Sequence, residues 1–269
     1  MKFRKPMLAK SIDGRIHLVE YPCFIQPKID GIRCITDGRQ FWSRNGKLFP
    51  QQNLRHLQIP PSKYLIDGEL SLTGGHADFE EIVSIVKRGD HEHMTDIRFN
   101  AFDMMIPAAP YSVRKEQLKE FFQQKQVKIQ SEHWNRLVTK KAVSIQYLRE
   151  YHQQFLDHGY EGSMVRHASG LYVSKRTIDL LKWKTLHDHE FKIVRVKEAK
   201  GKDAGTPVFI CMSKGGEFAA RPMGSMKQRR QMWKDRDNLI GKKLTVEYQN
   251  LTRYGKPRFP RAKVLRDYE

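Results

Sequence analysis

The order of apolar and polar positions predicts short strands at the start of the chain and helices between later ones. The runs CFIQPKI, GIRCITDG and RQFWSR are short and β-rich. Asp37-Gly38 separates the second from the third as a hairpin signal, and Asn45-Gly46 marks another turn. KYLIDGEL predicts a further strand. In DFEEIVSIVKRG the period becomes helical. Phe79, Ile82, Val83 and Val86 form one stripe, Asp78 and Glu81 have capping-box spacing, and Gly89 is placed to end the helix. IRFNAFDMM reads as a strand. Amphipathic helices are expected over 113–124 and 141–158, with Gly159 closing the second. The strands GSMVRH and LLKWK follow.

Near His187–His189 the pattern changes. EFKIVRVKEA, TPVFICMS, GEFAARP, KLTVEYQ and PRAKVLR are β-type runs, with a basic helical insert, MKQRRQMWKDR, between the third and fourth. Five strands in so short a stretch predict a small barrel. The expected class is α+β, with one domain over 1–187 and a β-barrel domain over 188–269.

Composition sharpens this picture through charge. The chain has 269 residues, 39% hydrophobic and 10% aromatic, enough for packed cores. Its formal net charge of +19 does not help folding; it attracts polyanions, nucleic acid first and an anionic membrane surface second. The basic residues are spread along the whole chain rather than gathered in a tail. No stretch approaches the length of a membrane span, and MKFRKPMLAK lacks the apolar core of a signal peptide. Cys23, Cys34 and Cys211 are too scattered for a disulfide framework or a zinc knuckle. A reducing, cytoplasmic setting is expected, in the host cytoplasm if the source is a virus.

The chemistry concentrates first in PKIDGIR. Lys28, Asp30, Gly31 and Arg33 fit either a surface turn with Gly31 in a left-handed conformation, or a covalent site that handles phosphate. Further along stand Ser43-Arg44-Asn45-Gly46, Asp67-Gly68-Glu69-Leu70, Phe102-Asp103, Glu161-Gly162 and Leu181-Lys182-Trp183-Lys184. In this order and spacing the set resembles the nucleotidyltransferase motifs of ATP-dependent DNA ligases, a superfamily shared with RNA ligases and mRNA capping enzymes. KPMLA and LTRYGKPRFP are similar to the small ligases of viruses and bacteria. The resemblance covers most of the chain.

It implies a nucleotidyltransferase domain of ATP-grasp-like mixed sheets with helices, followed by an OB fold. It also implies a DNA ligase that seals nicks through lysyl-AMP and 5′-adenylated DNA, as in repair and replication. Lys28 is then the nucleophile. An ordinary lysine, with a pKa of about 10.4, needs nearby positive charge to become neutral, and Arg33, Lys182, Lys184 and a divalent ion are the expected sources. Lys182 and Lys184 alternate along a strand, so both face one side, while Trp183 packs on the other. Glu69 is implied on the ribose hydroxyls and Phe102 on the adenine face. Gln26 is placed to help read the base. Glu161, with Glu69, is implied as the ligand of Mg²⁺ or Mn²⁺. Arg33 and Arg44 would clamp phosphate, Arg44 that of the nick, with Arg176 in the same cluster.

In the barrel, Phe209, Phe218, Trp233, Tyr248, Tyr254 and Phe259 are candidate platforms for bases. Most are expected in the core, and Tyr254, in a turn with Arg253, is the best exposed. Lys227, Arg229 and Arg230 form a basic cluster suited to phosphate. Arg258 and Arg261 are open as counterparts of a C-terminal basic motif. Only 27 residues precede Lys28, which leaves no room for a nicotinamide-binding domain and favours ATP as cosubstrate. The expected partner is nicked duplex DNA, without a membrane, and the expected state is a monomer. An RNA ligase, a capping guanylyltransferase or a non-enzymatic nucleic-acid-binding module are the alternatives.

Overall fold

The computed structural model describes residues 1–73, 79–88, 92–124, 132–252 and 254–266. Asp78, Gly89 and Arg253 lie outside the described residues. The chain divides into two compact units, Met1–Lys184 and Thr185–Glu269.

The first unit runs in order through β1 (Leu8–Ser11), β2 (Cys23–Pro27), β3 (Ile32–Thr36), β4 (Phe41–Ser43), β5 (Ile66–Leu72), α1 (Phe79–Lys87) and β6 (Ile97–Met104). It continues with α2 (Tyr111–Gln123), β7 (Trp134–Arg136), β8 (Lys140–Ala142), α3 (Ile145–Asp157), β9 (Gly162–His167) and β10 (Arg176–Lys184). Two five-stranded sheets result. Sheet one has the order β1-β10-β9-β2-β8 and sheet two the order β4-β3-β5-β6-β7.

Alternation along the strands sorts the side chains. Cys23 and Ile25 of β2, Val165 of β9 and Leu181 of β10 face α3, where they meet Leu148 and Phe155. Cys34, Ile66, Leu70 and Phe99 of sheet two meet Ile82, Ile85, Leu118 and Phe121 of α1 and α2. The opposite faces of the two sheets share a third core, with Met7, Ile35, Tyr172 and Leu180. The α1 stripe runs through Ile82, Ile85 and Val86; Val83, expected in it, is only partly buried. The helix expected over 141–158 begins later. Lys140–Ala142 pairs antiparallel with β2, so its backbone groups are satisfied in a sheet instead.

A buried polar network ties the sheets together. Asp103 of β6 accepts hydrogen bonds from Arg114 Nε (2.8 Å) and Nη2 (3.0 Å) of α2. It also accepts one from Arg166 Nη1 of β9, in the other sheet (2.7 Å). Arg166 Nε donates to Gln26 Oε1 of β2 (2.8 Å), and Gln26 Nε2 donates to the Phe102 carbonyl of β6 (3.2 Å). All five residues are buried.

A β-bulge makes the network possible. Asp67 pairs with Asp103 and Gly68 with Ala101, so Phe102 has no residue opposite it on β5. Ala101 and Met104 both enter the helix-side core, and Phe102 and Asp103 both turn toward sheet one.

The second unit comprises β11 (His187–Glu198), β12 (Pro207–Ser213), β13 (Gly216–Pro222), α4 (Met226–Lys234), β14 (Lys243–Tyr248) and β15 (Arg261–Arg266). Its strands form a closed barrel in the order β11-β12-β13-β15-β14. Ile193, Phe209, Cys211, Phe218, Leu244, Val246 and Ala262 fill it. Ser225 caps α4 in a capping box with Gln228.

Replacing Asp103 by alanine would leave Arg114 and Arg166 buried without a counter-ion. The expected loss is about 3–5 kcal/mol, read as a lowered urea midpoint.

Candidate active site

The site follows from strand register. Gln26, Met164 and Lys182 form one row across β2, β9 and β10. The next row holds Lys28, Gly162 and Lys184: Lys28 N–H donates to the Gly162 carbonyl (2.9 Å), and Lys184 pairs with Gly162. Gly162 must be glycine. Its φ is 150°, and an added Cβ would lie 2.1 Å from the Trp183 carbonyl oxygen.

Gly31 is required for a different reason from the left-handed turn. It is not among the residues with positive φ. A Cβ there would lie 2.2 Å from the Leu70 carbonyl oxygen and 2.9 Å from Glu69 Cγ. The chain after the lysine is therefore seated directly on β5.

Glu161, the residue before β9, has a side chain only 5% exposed and takes Lys28 on one carboxylate oxygen and Lys184 on the other. Burial alone would raise its pKa, but the two ammonium charges and their hydrogen bonds outweigh burial and hold it below the ordinary value. Burial, then the charges of Lys184, Lys28 and Arg176, lowers the pKa of Lys182. Glu69 moves the other way. Burial pushes its carboxyl up to about 7, against the pull of Lys28 and Arg33 and with help from Asp67 and Glu161.

A cavity of about 250 Å³ opens here, and Gln26, Lys28, Arg33, Arg44, Glu69, Phe102, Arg176 and Lys182 all line it. Lys184 and Glu161 join the group through the Glu161 carboxylate. The structure thus brings together every site residue expected in the first unit.

Several are already engaged. Arg33 donates from Nε to Asp67 Oδ1 (2.6 Å) and from Nη2 to Asp67 Oδ2 and the Met7 carbonyl. Its guanidinium carbon is 4.8 Å from the Phe102 ring centroid. Gln26 also donates to Thr139 Oγ1 (2.9 Å), so both ends of its amide hold the site rather than project into it. Lys182 and Lys184 do share a face, but Lys184 is drawn to Glu161 while Lys182 lines the cavity. Trp183 packs on the opposite face, stacked on His152 at 4.1 Å. His152 shares a 2.8 Å hydrogen bond with Ser163 Oγ, and burial lowers its pKa to about 4.

Sequence reasoning missed Arg166, Tyr172 and the role of Asp67. Tyr172 donates to Asp67 Oδ2 (2.5 Å) and accepts from Met7 N–H (3.2 Å), which fixes the N-terminal segment beside the cavity. The available signal was two acids, Asp67 and Asp103, each directly after a large apolar residue, Ile66 and Phe102, within a strand.

In the second unit, Phe209 and Phe218 belong to the core, while Trp233 and Tyr248 are partly buried. Lys227 and Arg230 are exposed. Arg229 donates to Asp203 Oδ1 (3.2 Å), so the expected cluster of three cations includes one that already has an acid partner. Tyr254 and Phe259 are each 65% exposed.

The family model of the ATP-dependent DNA ligase domain matches residues 6–184, and that of the DNA ligase OB-like domain matches residues 200–266. The chain belongs to the ATP-dependent DNA ligases. The enzyme uses ATP as cosubstrate and acts on DNA; nick sealing is the reaction of the family.

The ligase is 26% identical to the DNA ligase of Haemophilus influenzae over 237 residues, covering 86% of this chain and 82% of that one. It is 30% identical to a DNA ligase of African swine fever virus over 258 residues, 85% of this chain and 59% of the viral protein. Among solved structures, a Lig E DNA ligase studied for DNA binding with a minimal scaffold superposes with a TM-score of 0.80 at 25% identity, over 98% of this chain and all of that one. The Chlorella virus DNA ligase-adenylate superposes with a TM-score of 0.59 at 27% identity, over 98% and 99% of the two chains. No helix of the described residues is long and apolar enough to cross a membrane.

The Glu69 carboxyl gives a pH signature. Between its ordinary value of 4.5 and about 7, the folded protein holds a proton that the unfolded chain has released. Stability therefore falls as pH rises through that window. Glu69→Gln is expected to flatten this slope, leaving the variant more stable than the parent at pH 8 in thermal unfolding.

Proposed function

We propose that Lys28 is the nucleophile of this ligase and that residues 1–187 form the adenylation domain, with 188–269 as the OB-fold domain. The reading rests on Lys28, Glu69, Arg33 and Lys182 lining one cavity, with Glu161 pairing Lys28 and Lys184 beside it. Lys28 Nζ attacks the α-phosphorus of ATP. A P–N bond forms, the bond to the bridging oxygen breaks, and pyrophosphate leaves. A 5′-phosphate oxygen of the nick then displaces lysine and takes AMP. The adjacent 3′-hydroxyl finally attacks the phosphorus of the nick 5′-phosphate itself; the phosphodiester bond forms, the link to the adenylate oxygen breaks, and AMP leaves. All three are in-line displacements, so positioning and charge carry the catalysis.

Attack needs a neutral amine free of its ion pair. Glu161 must therefore release Lys28, which it does when its charge is taken up elsewhere. A divalent cation at Glu161 would take up that charge, while Lys182, Arg33 and Arg44 stand at the same cavity to meet the phosphates. Glu69 receives the ribose hydroxyls and Phe102 the base. Among the described residues no three His, Cys, Asp or Glu side chains form a metal cluster. Glu161 and Glu69 suit Mg²⁺ or Mn²⁺, which take one or two carboxylates and otherwise water and phosphate oxygens. Bound there, the ion would supply positive charge beside the α-phosphate.

The partner is nicked duplex DNA, gripped by Arg44 and Arg176 in the first unit and by Lys227, Arg229, Arg230, Arg253 and Tyr254 in the second. The enzyme works as a monomer. The three buried free cysteines suit a reducing cytoplasm.

Incubation with α-labelled ATP and Mg²⁺ is expected to label the protein covalently, and nicked duplex DNA added next is expected to be joined. Lys28→Ala should lose both; label in that variant would overturn the assignment. Nick binding measured between about 50 and 200 mM salt should weaken by at least tenfold, as contacts to several phosphates require.

A further inference from the structure

The buried stripe of α3 runs through Leu148, His152 and Phe155, the spacing of a helix face turned to a core. Leu148 and Phe155 pack into the apolar core of sheet one. His152 is the polar member of the stripe, and it is 7% exposed. A polar ring in such a place costs free energy unless it is hydrogen-bonded. Its Nδ1 has a partner in the Ser163 hydroxyl, at 2.8 Å.

His152 meets both members of one cross-strand pair. Ser163 of β9 lies opposite Trp183 of β10. The histidine shares its hydrogen bond with the first and lies flat on the indole of the second, at 4.1 Å and 7° between planes. The charged groups of the site are the sequence neighbours of this pair. Lys182 and Lys184 flank Trp183, and Glu161 stands two residues before Ser163.

The end of β10 needs a brace from outside the sheet. β1 pairs with β10 as far as Lys182. Trp183 and Lys184 have their sheet partners on β9, and the partner of Lys184 is Gly162, which offers no side chain to pack against. Lys184 is also the last residue of β10 and of the first unit. Element ends fray at little cost unless they are tied down. A flat stack on Trp183 fixes the indole plane, and with it the direction of the lysine on either side.

We propose that His152 is a positioning residue for the transfer of AMP to Lys28, holding Trp183 so that Lys182 faces the phosphates and Lys184 faces Glu161. It touches no substrate and acts through Trp183. Burial lowers its pKa to about 4, so the ring is neutral at pH 7 and adds no charge behind the lysines. This role rests on the reading of Lys28 as the nucleophile.

The test follows formation of the labelled adduct by the full chain, with α-labelled ATP and Mg²⁺, in single turnovers over a range of ATP concentrations. His152→Gln keeps a hydrogen-bonding group for Ser163 and loses the stack. It is expected to lower the saturating rate about tenfold, the scale of charges misplaced rather than deleted, with the half-saturating ATP concentration little changed. Trp183→Leu removes the stack from the other side and is expected to be as slow. His152→Phe keeps a flat ring, loses the hydrogen bond and is expected to restore the parent rate. Leu148→Ala opens a cavity in the same helix face; it should lower the thermal midpoint yet label at the parent rate. Thermal unfolding is read on every variant. A folded His152→Gln or Trp183→Leu that labels at the parent rate overturns the inference. A His152→Phe as slow as His152→Gln overturns it too, and so does a Leu148→Ala that is slowed equally. No label in the unaltered protein defeats the proposed function, whereas label there with a parent rate in His152→Gln defeats this inference alone.

Discussion

The ion pair between Asp103 and Arg166 is the constraint on which the site depends. It is buried and joins two sheets that face each other across a cavity. Arg114 gives the same carboxylate a second counter-ion from α2. Charges taken out of water are tolerable only when every partner is in place. The spacing of the sheets at this point is therefore set by hydrogen-bond lengths rather than by soft apolar packing. Gln26 extends the network to the Phe102 carbonyl, so the ring on the cavity wall is fixed by the same chain of contacts.

Above that floor the charges are arranged as a set of exchanges. Glu161 satisfies two lysines, Asp67 satisfies an arginine and a tyrosine, and Glu69 is the acid held most weakly in its charged form. Lys28, Lys184 and Arg33 are thus each matched by an internal carboxylate, which limits the unbalanced charge that the resting protein stores in a half-buried place.

Much of this was legible beforehand. Strong runs such as CFIQPKI, IRFNAFDMM and those of the barrel announced their strands, because five or more residues carry a readable period. Strands β1, β7 and β8 have only three or four residues and did not. The position of Lys140–Ala142 was decided by an available edge on β2, a tertiary fact. Lys28, Glu69, Phe102, Glu161, Lys182 and Lys184 were recognisable from motif order, and the register then showed why they meet. Arg166, Tyr172 and the bulge at Phe102 were not legible. An offset of one residue leaves composition untouched, and which arginine reaches which acid depends on which strands become neighbours.

The tight seat of Gly31 on the Leu70 carbonyl has a mechanical consequence. The loop that follows Lys28 and the strand that carries Glu69 touch backbone to backbone at Gly31, without an intervening side chain to act as a cushion. The gap between them is a gauge rather than a spring. A displacement of one wall is passed directly to the other.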